Sequence, residues 1–205
     1  MRIGIDIDDT TFYTATSMIK YADIFEGERI GVPIHKDNYG LIKDRYYLQE
    51  LYDWNREIKF NYFNKYYKNV LEECTPLSYV SEVIKKLKSE GDIIHFVTAR
   101  LTNIDGCDTE KITIDSLNKY DIPFDYIDFH IDDKVSFFKE QKIYLCIEDS
   151  YETCKEMIDN GINAILMTTK MNERIDAGNI TRVHNWNEVY NEIVKIKERI
   201  NNNKE

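Results

Sequence analysis

Asp6 and Asp8 stand two residues apart at the end of a short apolar run, Ile3-Gly-Ile-Asp-Ile-Asp-Asp-Thr-Thr-Phe12. Two carboxylates at that spacing leave a strand toward one face, where one can attack an electrophile while the other carries protons. Further polar residues end or open apolar segments downstream: Thr98-Ala99-Arg100 after residues 93–97, Lys134 ahead of a helical pattern, and Glu148-Asp149 after residues 143–147. These residue types suit phosphoryl transfer. A phosphate monoester is a dianion, so a carboxylate nucleophile reaches it only where cations and oriented donors neutralise the charge. Asp6 is the expected nucleophile, dividing hydrolysis into two easier steps through an aspartyl-phosphate. Asp8 is the expected acid and base; Thr98 and the Ala99 backbone N–H would hold phosphoryl oxygens, with Lys134 offsetting their charge. Asp6 and Asp149 are hard oxygen ligands suited to Mg²⁺. Glu148 would join them directly or act through water, and Arg100 would reach the phosphate or form an ion pair. Thr10 is expected to hold the turn by hydrogen bonding.

These residues need a scaffold that brings them together. Short apolar runs recur at 3–7, 93–97, 126–131, 143–147 and 164–167, with a weaker one at 180–183. Helical patterns lie between them at 79–89, 108–119, 134–141, 151–159 and 186–200, several followed by Gly91, Pro123 or Gly161 as stop signals. Strands alternating with single helices predict an α/β fold, a Rossmann-like parallel sheet flanked by helices, whose ligands bind outside the carboxyl ends of the strands. More than half of the Phe, Tyr and Trp residues fall between Phe12 and Tyr79. There Leu48, Leu51, Tyr52, Ile58, Tyr62, Phe63, Tyr66, Tyr67 and Val70 recur at helical spacing, which predicts a helical insertion over 13–74 between core segments 1–12 and 75–205. Trp54 in that insertion would either stack on a base or belong to a helical mini-core.

The ordered set of Asp6-Ile-Asp8-Asp-Thr10, an apolar run ending in Thr98, Lys134, and Glu148-Asp149 after another apolar run resembles the haloacid dehalogenase-like phosphohydrolases. Tyr52-Asp-Trp54, the approach from Lys86 to Thr98-Ala-Arg100, and Ile147-Glu-Asp-Ser150 resemble more narrowly the 5'(3')-deoxyribonucleotidase, or type C nucleotidase, branch. The resemblance implies that the insertion is a C1 cap and that the Asp8 backbone carbonyl is also a metal ligand. It implies a Mg²⁺-dependent phosphomonoesterase, with a (deoxy)nucleoside 5'-monophosphate as first substrate class. A sugar-phosphate phosphatase or phosphomutase on the same core is the rival. A receiver-like signalling module would need its phosphorylated Asp where this chain has Thr98, and a catalytically idle phosphate-binding module has no use for both Asp6 and Asp8.

Composition narrows the partners. With 27 Lys and Arg against 37 Asp and Glu the net charge is −10, the wrong sign for a nucleic-acid polymer. The partner expected is a small phosphorylated metabolite. No apolar run approaches the roughly 18 residues that cross a bilayer. Asp6 and Asp8 fall where a secretory leader would be apolar, so a cytoplasmic location is expected. Cys74, Cys107, Cys146 and Cys154 form no CxxC pair and read as free thiols, and His35, His95, His130 and His184 have no metal-binding spacing. His95, within an apolar run, is expected to be a satisfied core histidine. Oligomeric state is not legible.

Overall fold

The computed structural model describes residues 1–31, 47–102 and 104–202. Strands β1 (Arg2–Ile5), β2 (Ile93–Val97), β3 (Tyr126–Asp128), β4 (Leu145–Glu148), β5 (Asn163–Met167) and β6 (Thr181–Val183) form one sheet in the order β3-β2-β1-β4-β5-β6. Every pairing is parallel. The connections run outward from β1 to β3 and then return to build the other half from β4, so the crevice where strand order reverses lies between β1 and β4. That crevice opens where Asp6 leaves the sheet.

Burial on both faces explains the continuous apolar runs. On one face Ile3, Ile5, Ile94, Phe96, Leu145, Ile147, Ile165 and Met167 join residues of α4 (Val80–Ser89), α5 (Thr109–Lys119) and α8 (Trp186–Asn202). On the other, Val97, Cys146, Ala164 and Leu166 join Phe138 of α6 (Lys134–Glu140) and Cys154 and Met157 of α7 (Tyr151–Asp159). Trp186 also donates its indole N–H to the Thr10 carbonyl at 2.9 Å, tying α8 to the turn after β1.

Two strands, β1 and β3, end earlier than their apolar runs, and β4 starts later. β1 stops at Ile5 because Asp9 takes a left-handed conformation (φ 55) and the Ile7 carbonyl accepts the N–H groups of Thr11 and Phe12, turning the chain. β3 covers only part of 126–131, and His130 is left-handed (φ 60). Ile143 precedes β4; its N–H caps the end of α6 on the Phe138 carbonyl.

Between β1 and β2 lie α1 (Thr14–Ile30), α2 (Tyr47–Tyr52) and α3 (Arg56–Glu73). The chain's exit and return are paired, with Tyr13 N–H on the Thr75 carbonyl and Leu77 N–H on the Thr11 carbonyl. Tyr21, Phe25, Tyr52, Trp54, Tyr62 and Tyr66 pack rings among these helices. Tyr67 and Leu71 of α3 meet Cys107 and Ile112 beside α5, so the helices are anchored to the sheet-bearing part on that side.

Gly4 has no room for a side chain, since a Cβ there would lie 2.3 Å from Cζ of the buried Phe138. Gly4→Ala is expected to cost about 1–3 kcal/mol as an overpacked core site and to lower Tm by roughly 2–4 °C per kcal/mol. Thermal unfolding of Gly4→Ala with and without Phe138→Leu checks this, the second substitution restoring most of the loss.

Candidate active site

The first turn after β1 sets the geometry. Asp6 keeps its backbone in register through an N–H bond to the Ile147 carbonyl at 2.9 Å, and its own carbonyl accepts the Thr11 hydroxyl at 2.8 Å. Thr11 therefore holds the turn expected of Thr10, whose buried hydroxyl has no hydrogen-bond partner. The left-handed Asp9 swings its carboxylate onto the N–H of Ala15, at 2.9 and 3.2 Å, serving an α1 N-terminus that lacks a side-chain cap of its own. Burial pushes the Asp9 carboxyl up to about 7 against that hydrogen bond, with the Asp8 charge adding to the rise.

Asp6, Lys134 and Glu148 form one buried array. The Lys134 ammonium, at the first residue of α6, donates to Asp6 Oδ1 at 2.5 Å and to Glu148 Oε2 at 2.6 Å. Glu148 Oε1 accepts the backbone N–H groups of Asp149 and Ser150, both at 3.2 Å. Ligand oxygens of Asp6, Glu148 and Asp149 lie within 4.8 Å of one another. Burial, then the Glu148 charge, push the Asp6 carboxyl up to about 8 even though Lys134 opposes the rise. Burial and Glu148 also raise Asp149. An array of hard oxygens with excess negative charge fits a divalent cation such as Mg²⁺. Asp6 and Asp149 are the carboxylates best placed to hold one, because both oxygens of Glu148 are already engaged, which puts it in an orienting role.

Asp8 is held from two sides. Thr14, at the start of α1, donates its hydroxyl to Asp8 Oδ1 at 2.6 Å, and Arg100 grips the same carboxylate through Nη2 at 2.7 Å and Nε at 3.0 and 3.1 Å. Burial would raise the Asp8 carboxyl, but the Arg100 guanidinium and the Thr14 hydroxyl hold it below the usual carboxylate range. Arg100 itself is buried, and its Nη1 donates to Thr113 of α5 at 2.8 Å. Of the two options expected for Arg100 the structure shows the ion pair, with the guanidinium on Asp8 and Thr113, while the residue also lines the cavity described next.

Thr98 sits buried beyond β2 with Ala99 exposed beside it, and both line the cavity onto which Asp6, Asp8, Lys134, Glu148 and Asp149 open. The cavity measures about 570 Å³, a volume suited to a small molecule. Its outer wall includes Met18, Leu48, Phe63 and Tyr67 from the inserted helices. Trp54 is not part of it: the indole is buried among Phe25, Tyr52 and Tyr62 and donates to Glu26, so of its two expected places the helical mini-core is the one present. Phe63 and Trp54 are both aromatics of the same insertion, and only the packing separates them. Asp9, Thr14, Thr113 and Asn172 also escaped the sequence reading; the capping pattern before α1 is the one signal that points to any of them.

None of the three described histidines lines the cavity. His95 bonds Asp128 through Nε2 at 2.6 Å, but its buried Nδ1 has no partner, so it is only half satisfied. His35 lies outside the described residues, as does part of the 13–74 insertion. All four cysteines are free and buried. No described helix is long and apolar enough to cross a membrane.

Over 156 residues the chain is 30% identical to a nucleotidase of Clostridium acetobutylicum, an alignment covering 76% of this chain and 78% of that protein. Among solved structures, a haloacid dehalogenase-like family hydrolase of Streptococcus pneumoniae superposes with a TM-score of 0.69 at 16% identity, covering 94% of this chain and 97% of that one. A variant of CbbY from Rhodobacter sphaeroides in complex with xylulose 1,5-bisphosphate superposes with a TM-score of 0.64 at 12% identity, covering 91% and 95%. At these identities the structural likeness speaks for the fold. No protein-family model matches the chain.

Arg100→Met should leave Asp8 without its cation and cost about 3 kcal/mol, the lower end for breaking a buried pair because Asp8 keeps one side toward the cavity. The double variant Asp8→Asn/Arg100→Met should recover part of that loss. Urea unfolding of the two variants beside wild type tests this, and equal destabilisation in both would contradict it.

Proposed function

Because the chain belongs to the haloacid dehalogenase-like phosphohydrolases, we propose that it is a Mg²⁺-dependent phosphomonoesterase whose substrates are (deoxy)nucleoside 5'-monophosphates. The observation that carries this reading is the meeting of Asp6, Asp8, Thr98, Lys134 and Asp149 from separate strand ends and one helix start around a single cavity. The nucleotide part draws on the Clostridium relative and on an apolar, aromatic outer wall that suits a base. We assign residues 13–74 to a cap over the 1–12 and 75–205 core, supplying that wall.

A Mg²⁺ ion held by Asp6, Asp149 and the Asp8 carbonyl would supply charge neutralisation of the phosphoryl oxygens. The chain's own groups carry the remaining chemistry. An Asp6 carboxylate oxygen attacks phosphorus in line, the bond from phosphorus to the ester oxygen breaks, and Asp8 gives its proton to that oxygen. A water then loses its proton to the Asp8 carboxylate and attacks the phosphoryl group, freeing Asp6 and inorganic phosphate. Thr98 and the Ala99 N–H hold phosphoryl oxygens through the transfer, while Lys134 offsets their charge and orients Asp6. In the arrangement seen, Arg100 keeps Asp8 in its carboxylate form, ready for the second step. The first step needs a proton on Asp8, and the approach of a dianionic ester favours its uptake.

Phosphate release from nucleoside monophosphates, sugar phosphates and a small aryl phosphate, with Mg²⁺ and with EDTA, tests the assignment. Release should require Mg²⁺, be greatest for nucleoside monophosphates, and fall at least about a thousandfold in Asp6→Asn. Substantial turnover by Asp6→Asn would remove the nucleophile assignment, and preference for sugar phosphates would favour the rival on the same core.

The wall assignment has its own test. Phe63→Ala should lower kcat/KM for nucleoside monophosphates by about 1–3 kcal/mol, the usual worth of base–aromatic stacking, while sparing the aryl phosphate. Trp54→Ala should instead lower Tm and affect both substrates together.

A further inference from the structure

The last paired residues of β4 and β5 are Glu148 and Leu166. One step further, where the ladder would bring Asp149 opposite Met167, β4 has ended, while Met167 closes β5 and pairs only with Val183 of β6. The side chain of Asn172 fills that place: its Nδ2 donates to the Asp149 carbonyl and to the Met167 carbonyl, both at 2.7 Å. Its Oδ1 accepts the Thr169 N–H at 3.1 Å and Arg182 Nη1 of β6 at 2.8 Å. Two donors and two acceptor positions are the full capacity of a carboxamide, and all are used. Asn172 is buried and lines the catalytic cavity.

The side chain is locked in turn by its own loop and by β6. Asn172 N–H bonds the Thr169 carbonyl at 3.2 Å, closing a reciprocal pair with Thr169. Arg182 Nη2 donates to the carbonyls of Asn172 and Ile175 at 3.2 and 2.8 Å, so one guanidinium fixes both the backbone and the side chain. A charged donor to Oδ1 leaves the amide no freedom to flip, because a flip would set Nδ2 against the guanidinium and Oδ1 against two carbonyls.

The physical need for such a tie is visible in the carboxylates. Asp149 is crowded with Asp6 and Glu148 inside 4.8 Å, and like charges at that range repel strongly away from bulk water. β4 supplies no ladder bond at Asp149 to resist that push. We propose that Asn172 is a positioning residue for Asp149, a side-chain rung that replaces the missing ladder and, braced by Arg182, keeps the Asp149 carboxylate at the distance from Asp6 that a divalent cation requires. This rests on the metal-dependent phosphatase reading above. An Asp at this position would lack the two donors that reach the Asp149 and Met167 carbonyls.

The experiment is calorimetric titration of Mg²⁺ into wild type, Asn172→Ala and Arg182→Met, paired with phosphate release over a Mg²⁺ series and with thermal unfolding. Loss of an orienting partner typically weakens metal binding by about 10–100-fold. Asn172→Ala should therefore raise the Mg²⁺ Kd by at least roughly tenfold while kcat at saturating Mg²⁺ stays within about threefold of wild type. Arg182→Met, which reaches the metal only through Asn172, should shift the same constant in the same direction by less. A Kd within twofold of wild type in folded Asn172→Ala, with only Tm lowered, would make the tie merely structural and overturn the inference. Should Asn172→Ala not fold, Arg182→Met decides alone, and an unchanged Kd overturns it. Absence of Mg²⁺ binding in wild type would overturn the metal-dependent reading itself, and the inference with it.

Discussion

Mutual repulsion among carboxylates is the constraint on which the rest of this structure depends. Asp6, Glu148 and Asp149 share a space in which their oxygens lie within 4.8 Å, with Asp8 and Asp9 close by in the chain. Left uncompensated, such a group would protonate or move apart. Each neighbouring feature opposes one of those outcomes. Lys134 stands between Asp6 and Glu148, and Arg100 grips Asp8. Asp9 turns away to the start of α1, where oriented N–H groups receive it. The excess charge that remains is what a divalent cation and its phosphate ligand are suited to balance.

A parallel sheet suits this task because it delivers the end of every strand to one edge. β1, β2 and β4 are adjacent, so the residues just beyond them converge without any long-range accident of packing. The backbone beyond a strand end, however, has lost its ladder. The molecule replaces it case by case: Asp6 N–H reaches back to Ile147, Thr98 N–H to Asp128, and Asn172 substitutes a side chain where no backbone is available.

How much of this was legible in the sequence follows from whether a residue's role is local. Asp6, Asp8, Thr98, Lys134 and Asp149 each sit at the boundary of a visible apolar or helical run, so their convergence followed once a parallel sheet was inferred. Strand ends were overrun because apolarity continues through the turn: Ile7 is as buried as Ile5, yet it closes a turn and not a ladder. The exchange of roles between Thr10 and Thr11 turns on one backbone angle, that of Asp9, which no spacing reveals. Arg100 could be placed beside the site but not assigned a partner, because the competing acid lies 92 positions away. Asn172 lacked any signal, since its bonds join three strands that are brought together only by the finished sheet.

The inserted helices show the same division at the level of selectivity. Helical periodicity marks an aromatic as facing something, and it cannot say whether that something is another helix or a cavity. Trp54, the larger and more persuasive ring, spends its faces on Tyr52 and Tyr62 and its N–H on the buried Glu26. Phe63 also packs against rings, Tyr62 and Tyr67, but keeps part of its surface toward the catalytic cavity. The difference follows from position along the helical bundle: residues near α1's middle and the α2–α3 junction are enclosed by neighbouring helices, whereas Met18, Phe63 and Tyr67 lie where α1 and α3 approach the strand ends. A ring buried in the insertion and a ring that lines the cavity can therefore lie nine residues apart, one in the α2–α3 junction and one on α3. The insertion meets the sheet-bearing part at two different kinds of contact: the Thr14 hydroxyl bonds Asp8, and Tyr67 and Leu71 pack beside α5, whereas the ring and N–H contacts of Trp54 are to the helices of the insertion itself.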